Sequence, residues 1–517
     1  MLHTTNMKRV LAKISENPFW LILLTVILKL PMFFTGHIQE DSFITWRVAK
    51  NFVKYGVIGF NGDERISAST THLYVFISSI FNLIFGDYFV IPLLLFSSVL
   101  FAVGSWWLSK ILFPEKLFPR TLFVLLLNMT PPALTASLLG MEYGILFFLY
   151  NGLIYFGLYQ GKKWAYFVFP ILLLWTRIDT VIFLGIFFLA DLYFKRKLNL
   201  FLILGGIIGL VSVVGFNYLY FGEIVNHTIT AKKIAYKNLI QNNSLEYSLF
   251  QWAYYGGLIK KYSVLTFLIF MAFLGFLGFV LWKISRNTKI SSLIKVVVLF
   301  TVIFALVKIT IFAFFNAYFD WYYWLPRVFM FGVILYYFLN INTKKTKILY
   351  AGLFLLFSGL YVFQWIQSYT IGYMEERQRM QIAADINQNN GGLGQSILLE
   401  PAGIIPFFTK LYTYDEVGLV NARINDEMLK DEKYWWINSV ERFQPDYILT
   451  IASKPSLEGG FYKLRSEDTA SFTNDYTLVK SYPIDRIHEE APPLLKWIYH
   501  IRPIGKDYFL YKKNTNR

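Results

Sequence analysis

Apolar residues run in long, nearly unbroken stretches through the first 366 positions and only in short alternating stretches after that. A helix needs about 20 consecutive apolar residues to cross the roughly 30 Å hydrocarbon core of a bilayer, so each long run predicts a membrane span. The runs fall near 18 to 36, 89 to 110, 120 to 139, 142 to 160, 164 to 176, 179 to 194, 199 to 221, 263 to 282, 291 to 314, 325 to 341 and 347 to 366. One run, His72 to Phe85, is too short and ends at Gly86-Asp87. It predicts a juxtamembrane or re-entrant helix packed in protein. The first run follows a basic start but has no small-residue cleavage site, so it reads as a retained span. Beyond 367 the period changes. Met374 to Asn389 predicts an amphipathic helix, and Asp426 to Phe443 also has helical spacing. Ser396 to Leu399, Tyr447 to Ile451, Tyr476 to Val479 and Tyr508 to Tyr511 predict strands. The expected architecture is a polytopic α-helical membrane domain over 1–366, of about 11 spans plus juxtamembrane helices. A soluble α/β domain over 367–517 completes it.

Composition agrees with this pattern. At 56% hydrophobic and 16% charged, the chain is too apolar for a water-soluble globule. The net charge of +16 would point to nucleic acid in a soluble protein. Here the basic residues sit in short loops between runs: Lys8, Arg9 and Lys13; Lys110, Lys116 and Arg120; Lys162 and Lys163; Lys195, Arg196 and Lys197; Lys283, Arg286 and Lys289; Lys344, Lys345 and Lys347. That is the positive-inside pattern, and it places the N-terminus in the cytoplasm and the C-terminus outside. No nucleic-acid partner is expected. With no cysteine, disulfides and thiolate metal sites are excluded.

The same parity sends the residues with chemical potential to the outer face. These are Glu40 and Asp41, the loop Phe60 to His72, Glu142, Arg177 and Asp179, the stretch Gly222 to Lys232, and Asp320 to Tyr323. Convergence of carboxylates and cations on one side suggests an active site; the plainer alternative is that outer loops are simply polar. Asp41 is either a general base or a helix N-cap with Ser42. Glu40 either positions a substrate and raises the pKa of Asp41 as a like charge, or is merely solvated. Arg177 and Lys232, with Thr228, are candidate phosphate ligands, against an internal ion pair and a solvated lysine. Lys308 lies too deep in an apolar run to face lipid without snorkelling, whereas Lys29 is near enough to the interface to snorkel. Arg327 is a further cation beside Pro326. Glu142 and Glu223 could orient sugar hydroxyls and Trp321, Tyr322 and Tyr323 could stack on a sugar; an interfacial aromatic belt explains the same rings. His72 is a ligand contact or a structural histidine. No metal-ligand spacing is present, and a divalent cation on Glu40 and Asp41 stays open. The Gly391-Gly392-Leu393-Gly394 run has no preceding strand and reads as a turn rather than a phosphate loop.

Several of these stretches resemble, in order, the motifs of bacterial C-type (GT-C) polyprenyl-phosphate-dependent glycosyltransferases, with the mycobacterial terminal arabinofuranosyltransferase group the nearest in look. The residues are Glu40-Asp41 through Arg47 to Asn51, Phe60-Asn61-Gly62 with Glu64-Arg65, Ser69 to Tyr74, Gly140-Met141-Glu142, Arg177-Ile178-Asp179, Phe221-Gly222-Glu223 with Thr228 and Lys232, and Trp321-Tyr322-Tyr323 with Pro326. Glu400 to Gly403 and Asp415 to Leu419 continue the likeness. The six-residue spacing from Asp41 to Arg47 is also similar to the first acidic motif of oligosaccharyltransferases. Three positions depart from the pattern, Glu40 for the usual Asp, Ile178 for the usual Pro, and Asn226-His227-Thr228 for Pro-Asn-Thr; the first and third leave the donor sugar open.

The resemblance implies an integral-membrane glycosyltransferase in the bacterial cytoplasmic membrane, with its active site and C-terminal domain extracytoplasmic. It would move a sugar from a polyprenyl-phosphate carrier to a glycan, lipid or protein acceptor. Such chemistry needs a carboxylate to take the acceptor proton, assigned to Asp41, and cations for the phosphate leaving group. The competing expectations are a transporter or flippase of lipid-linked saccharide, and a non-catalytic relative. No internal repeat of span pattern, as many transporters have, is visible in the sequence.

Overall fold

The computed structural model describes residues 17–62, 64–237, 244–257, 263–315, 319–341, 346–388, 394–452 and 462–514. Lys8, Arg9, Lys13, Lys344, Lys345 and the Gly391-Gly392-Leu393 run lie outside the described residues. The chain forms two compact units: one of Met1–Phe33, Val90–Val213 and Leu239–Ile366, the other of Phe34–Phe89, Val214–Asn238 and Gln367–Arg517.

Each predicted apolar run is helical. Among the described residues, six helices are long and apolar enough to cross a membrane on their own: Val90–Leu112, Leu200–Phe221, Val264–Arg286, Ser292–Phe314, Asp320–Asn340 and the one beginning at Thr346. Pro18–Phe33, Tyr143–Tyr159 and Lys163–Thr176 are apolar but shorter. The predicted run 120 to 139 is two helices, Leu117–Asn128 and Pro131–Leu138, bent by 69°. Pro131 and Pro132 carry no N–H to continue the first helix, but they suit the opening turn of a second. Leu265, Leu268, Met271 and Phe279 of Val264–Arg286 are exposed, a surface suited to lipid rather than water. The chain is a helical membrane protein.

Small residues set how closely helices meet in the first unit. A Cβ at Gly144 would lie 2.1 Å from Ser97 Oγ and 2.7 Å from Ser97 O, so Tyr143–Gly152 can rest on Val90–Leu112 only through glycine. Gly104 faces the Phe147 backbone in the same seam. Without a hydrophobic drive between helices in lipid, such close approach supplies the packing energy.

The second unit joins the 37–88 segment to the C-terminal domain. Its first part is the helix Glu40–Tyr55, ended by Gly56 at φ 70°, and the helix His72–Phe85. The latter is 14 residues, about 21 Å, and so falls short of the hydrocarbon thickness. Ile44, Val48, Ile58, Phe60, Ile66 and Val75 pack with Ala402 and Val420. The domain beyond 367 carries strands β1 Ser396–Leu399, β2 Tyr412–Asp415, β3 Tyr447–Thr450, β4 Tyr476–Tyr482 and β5 Tyr508–Lys513. They form one sheet in the order β2-β1-β3-β5-β4. The β1 pairings are parallel, and β5 is antiparallel to both β3 and β4. Alternation along the strands sends Ile397, Leu399, Tyr447, Leu449 and Leu510 to one core and Leu398, Ile448 and Tyr511 to the other.

Three expectations change here. The strand β2 was not expected: Tyr and Thr favour strands, but Tyr-Thr-Tyr-Asp is short and has no aliphatic residue. The helix expected at 374–389 is the far end of the last membrane helix, Thr346–Glu375, which continues through a π-helical turn into Gln381–Gln388. The helical stretch 426–443 is split into Ala422–Lys430 and Trp435–Phe443, because the Asp431 carboxylate accepts from the Lys433 and Tyr434 amides at 3.0 Å and turns the chain.

Candidate functional site

The first unit buries a four-charge network. Arg177 follows the last turn of Lys163–Thr176 with an extended backbone, and Asp179 follows in a single 3-10 turn. Arg177 Nε donates to Asp179 Oδ1 at 2.9 Å, and Arg177 Nη1 to Glu142 Oε1 at 2.6 Å. Lys308 Nζ lies 3.1 Å from the other Asp179 oxygen, and its side chain is only 1% exposed. Two cations therefore balance two carboxylates, the condition under which charge is tolerated in an apolar interior. The Arg177 guanidinium lies 5.2 Å from the Tyr322 ring centroid and 5.7 Å from that of Tyr143. Beside it, the buried hydroxyls of Tyr143 and Tyr150 have no hydrogen-bond partner among the described residues. The sequence did not single out these two tyrosines, and nothing in an apolar helix marks a hydroxyl that ends up without an acceptor.

Tyr323 and Arg327 serve the frame of the same unit. Tyr323 is buried and stacked on Tyr255 at 4.4 Å, so one face is covered. Arg327 holds the Tyr255 carbonyl through Nε at 2.8 Å and Asp320 through Nη1 at 2.9 Å. Trp321 stacks on Phe319 at 4.6 Å. Lys29, expected to snorkel, is instead buried, donating to Ser137 Oγ at 2.8 Å and lying over Phe101. Position along the helix placed it near the interface, but helix packing turned it inward.

The second unit holds the acidic pair. Glu40 and Asp41 occupy the first turn of Glu40–Tyr55, where the helix dipole favours negative charge. Gln39, rather than Asp41, is the N-cap residue, and both acids are half-buried. One Glu40 oxygen accepts from the Gly403 and Ile404 amides at 2.8 and 2.9 Å, while the other lies 3.2 Å from Arg379. That carboxylate caps the helix Ile404–Thr409, and Gly403 is required because a Cβ there would stand 2.2 Å from Glu40 O. Arg47 is buried and donates to the carbonyls of Phe60, Pro406 and Leu411 at 3.0, 2.7 and 2.7 Å. Gly403 thus ties the stretch Glu400 to Gly403 to the acidic loop, and Leu419, from the stretch Asp415 to Leu419, packs against the cluster of Phe60 and Ile66.

His72 is buried with Nε2 2.7 Å from Asn217 Oδ1 and its ring stacked on Phe221. Burial pushes it down to about 4 despite the opposing Asn217 bond, so the neutral ring donates to Asn217 at ordinary pH. Glu223 approaches His227 Nδ1 at 3.4 Å; His227 Nε2 is 2.8 Å from Gly418 O. These two side chains, with Glu64, Arg65, Ser67 and Arg423, line a cavity of about 200 Å³. Thr228 is buried, its hydroxyl unpartnered among the described residues, and Lys232 is half-buried on the same helix, His227–Ala235. Among the described residues no three His, Asp or Glu side chains are grouped to hold a metal ion.

Residues 367–510 match the family model described as a domain of unknown function (DUF8728). No curated protein matches the chain.

Proposed function

We propose that this chain is a GT-C-type membrane glycosyltransferase that moves a sugar from a polyprenyl-phosphate carrier to a hydroxyl of a glycan, lipid or protein acceptor on the extracytoplasmic side. The supporting observation is the network of Glu142, Arg177, Asp179 and Lys308 beside the unpartnered hydroxyls of Tyr143 and Tyr150. Cations held ready in an apolar surrounding are what a departing phosphate requires. In this reading a lipid phosphate competes with Asp179 and Glu142 for Arg177 and Lys308, and the tyrosine hydroxyls add neutral donors. The acceptor oxygen attacks the anomeric carbon as it loses its proton, the role that the sequence resemblance gives to Asp41. The bond from that carbon to the phosphate oxygen breaks, and its electron pair leaves with the carrier phosphate. Glu40, engaged by two amides and Arg379, braces the helix that carries Asp41.

The test is sugar transfer from polyprenyl-phosphate donors to glycan acceptors by the purified protein in liposomes, with donor affinity measured alongside. Asp41→Asn should lower turnover by roughly two to four orders of magnitude and leave donor binding intact. Full activity in that variant overturns the assignment of the base. A second reading, a carrier of lipid-linked saccharide, draws on the buried Lys308–Asp179 pair, since ion pairs within spans also serve as transport relays. Movement of the lipid across the bilayer with no transfer selects that reading.

A further inference from the structure

The helix Pro493–Ile501 has two faces of different fate. Leu495 and Tyr499 are buried, whereas Leu494, Trp497 and Ile501 are 46%, 63% and 62% exposed. Spacings of three and four place the exposed trio on one stripe. Lys496 and His500 flank it on the same helix, and Arg502 follows directly. An exposed tryptophan between two aliphatic residues on a nine-residue helix is costly in water. It is the composition of a helix lying flat in a membrane interface, where apolar side chains enter the acyl boundary and cations meet headgroups.

The height of this helix is fixed by what it packs on. Tyr499 donates its hydroxyl to Thr370 O at 2.7 Å, and Leu495 and Tyr499 pack with Tyr369 and Tyr373. Tyr373 in turn donates to Glu490 O at 3.3 Å. Thr370 belongs to the helix Thr346–Glu375, whose apolar run closes at Ile366. Four residues of helix rise span about 6 Å. The headgroup band beyond each side of the hydrocarbon is about 5–7 Å deep. A helix clamped to Thr370 therefore sits at headgroup depth wherever Thr346–Ile366 crosses a bilayer.

We propose that Pro493–Ile501 is a membrane-interface anchor that seats the C-terminal domain on the lipid surface through Leu494, Trp497 and Ile501, with Lys496, His500 and Arg502 facing anionic headgroups. The proposal needs Thr346–Ile366 to span the membrane but not the transfer of sugar. Because the chain has no cysteine, single nitroxide labels can be placed without background. Leu494→Cys and Ile501→Cys would be labelled in the full chain, reconstituted in nanodiscs of phosphatidylethanolamine and phosphatidylglycerol. Lys433→Cys serves as the exposed aqueous reference and Leu355→Cys as the reference within the span. Collision with oxygen relative to a water-soluble nickel chelate should be several-fold higher at 494 and 501 than at 433, and lower than at 355. A ratio at 494 and 501 equal to that at 433 overturns the anchor. So does loss of collision with both reagents, which would mean that a protein surface covers the stripe, or an aqueous signal at 355, which would remove the span. Replacing the anionic lipid with phosphatidylcholine should lower the ratio at both anchor labels; no change would overturn the role of the three cations.

Discussion

Arg177 and Arg47 are both buried arginines, yet the two units satisfy them in opposite ways. Arg177 in the first unit is balanced by charge, through Glu142 and Asp179. Arg47 in the second unit is balanced by shape, through three backbone carbonyls. An ion pair can exchange one anion for another, which is what the proposed phosphate site at Arg177 requires. Carbonyls fixed in a folded chain offer no such exchange, so Arg47 is a brace. A sequence motif marks both equally; the partner tells which can meet a ligand.

Arg47→Ala removes three hydrogen bonds made by a buried charged group, each worth about 1.5–3 kcal/mol, although Phe60 O, Pro406 O and Leu411 O keep Asn51, the Lys410 amide and Thr413 as donors, so the protein should lose much of its folded monodisperse peak in detergent. Asp41→Asn should fold normally and lose turnover as above, which separates scaffold from chemistry on one helix. Next, Lys308→Ala leaves Asp179 with Arg177 alone and should destabilise the protein by about 3–5 kcal/mol, read as a lowered thermal midpoint. Adding Asp179→Asn to Lys308→Ala should recover a large part of that loss. Additive losses would show that the two side chains do not act as a pair.

A fourth measurement concerns pH. Burial pushes Glu416 up to about 8, against hydrogen bonds from Trp436 and Tyr462 that favour its ionised form. Its folded form thus holds a proton that the unfolded chain releases near 4.5. Stability should fall as pH rises from about 4.5 to about 8, by up to about 1.4 kcal/mol per pH unit from this group. Glu416→Gln should flatten that slope, which denaturant titration at several pH values would detect. The smallest effect is expected at the helix seam: Gly144→Ala places a methyl against Ser97 and should cost about 1–3 kcal/mol. An unchanged thermal midpoint would mean that the two helices can separate without loss.

The sequence alone determined the helical membrane character, the position of each apolar run, the short His72–Phe85 helix and four of the five strands. Those features follow from local periodicity and from the length a bilayer demands, which a linear reading can measure. It also marked the charged residues worth examining, because ionisable groups in an apolar chain are rare. Tertiary structure decided what each of them does. Lys29 turned inward because Ser137 and Phe101 receive it, and Glu40 became a cap because Gly403 leaves room for it. His72 was claimed by Asn217, and Tyr143 and Tyr150 were left with unspent hydroxyls. β2 formed because β1 offered it an edge, since a run of only four residues, Tyr-Thr-Tyr-Asp, does not specify a strand by itself even though Tyr and Thr favour one. For Lys29, Glu40 and His72 the deciding partner is far away in sequence, and burial sets the cost of leaving a polar group without one.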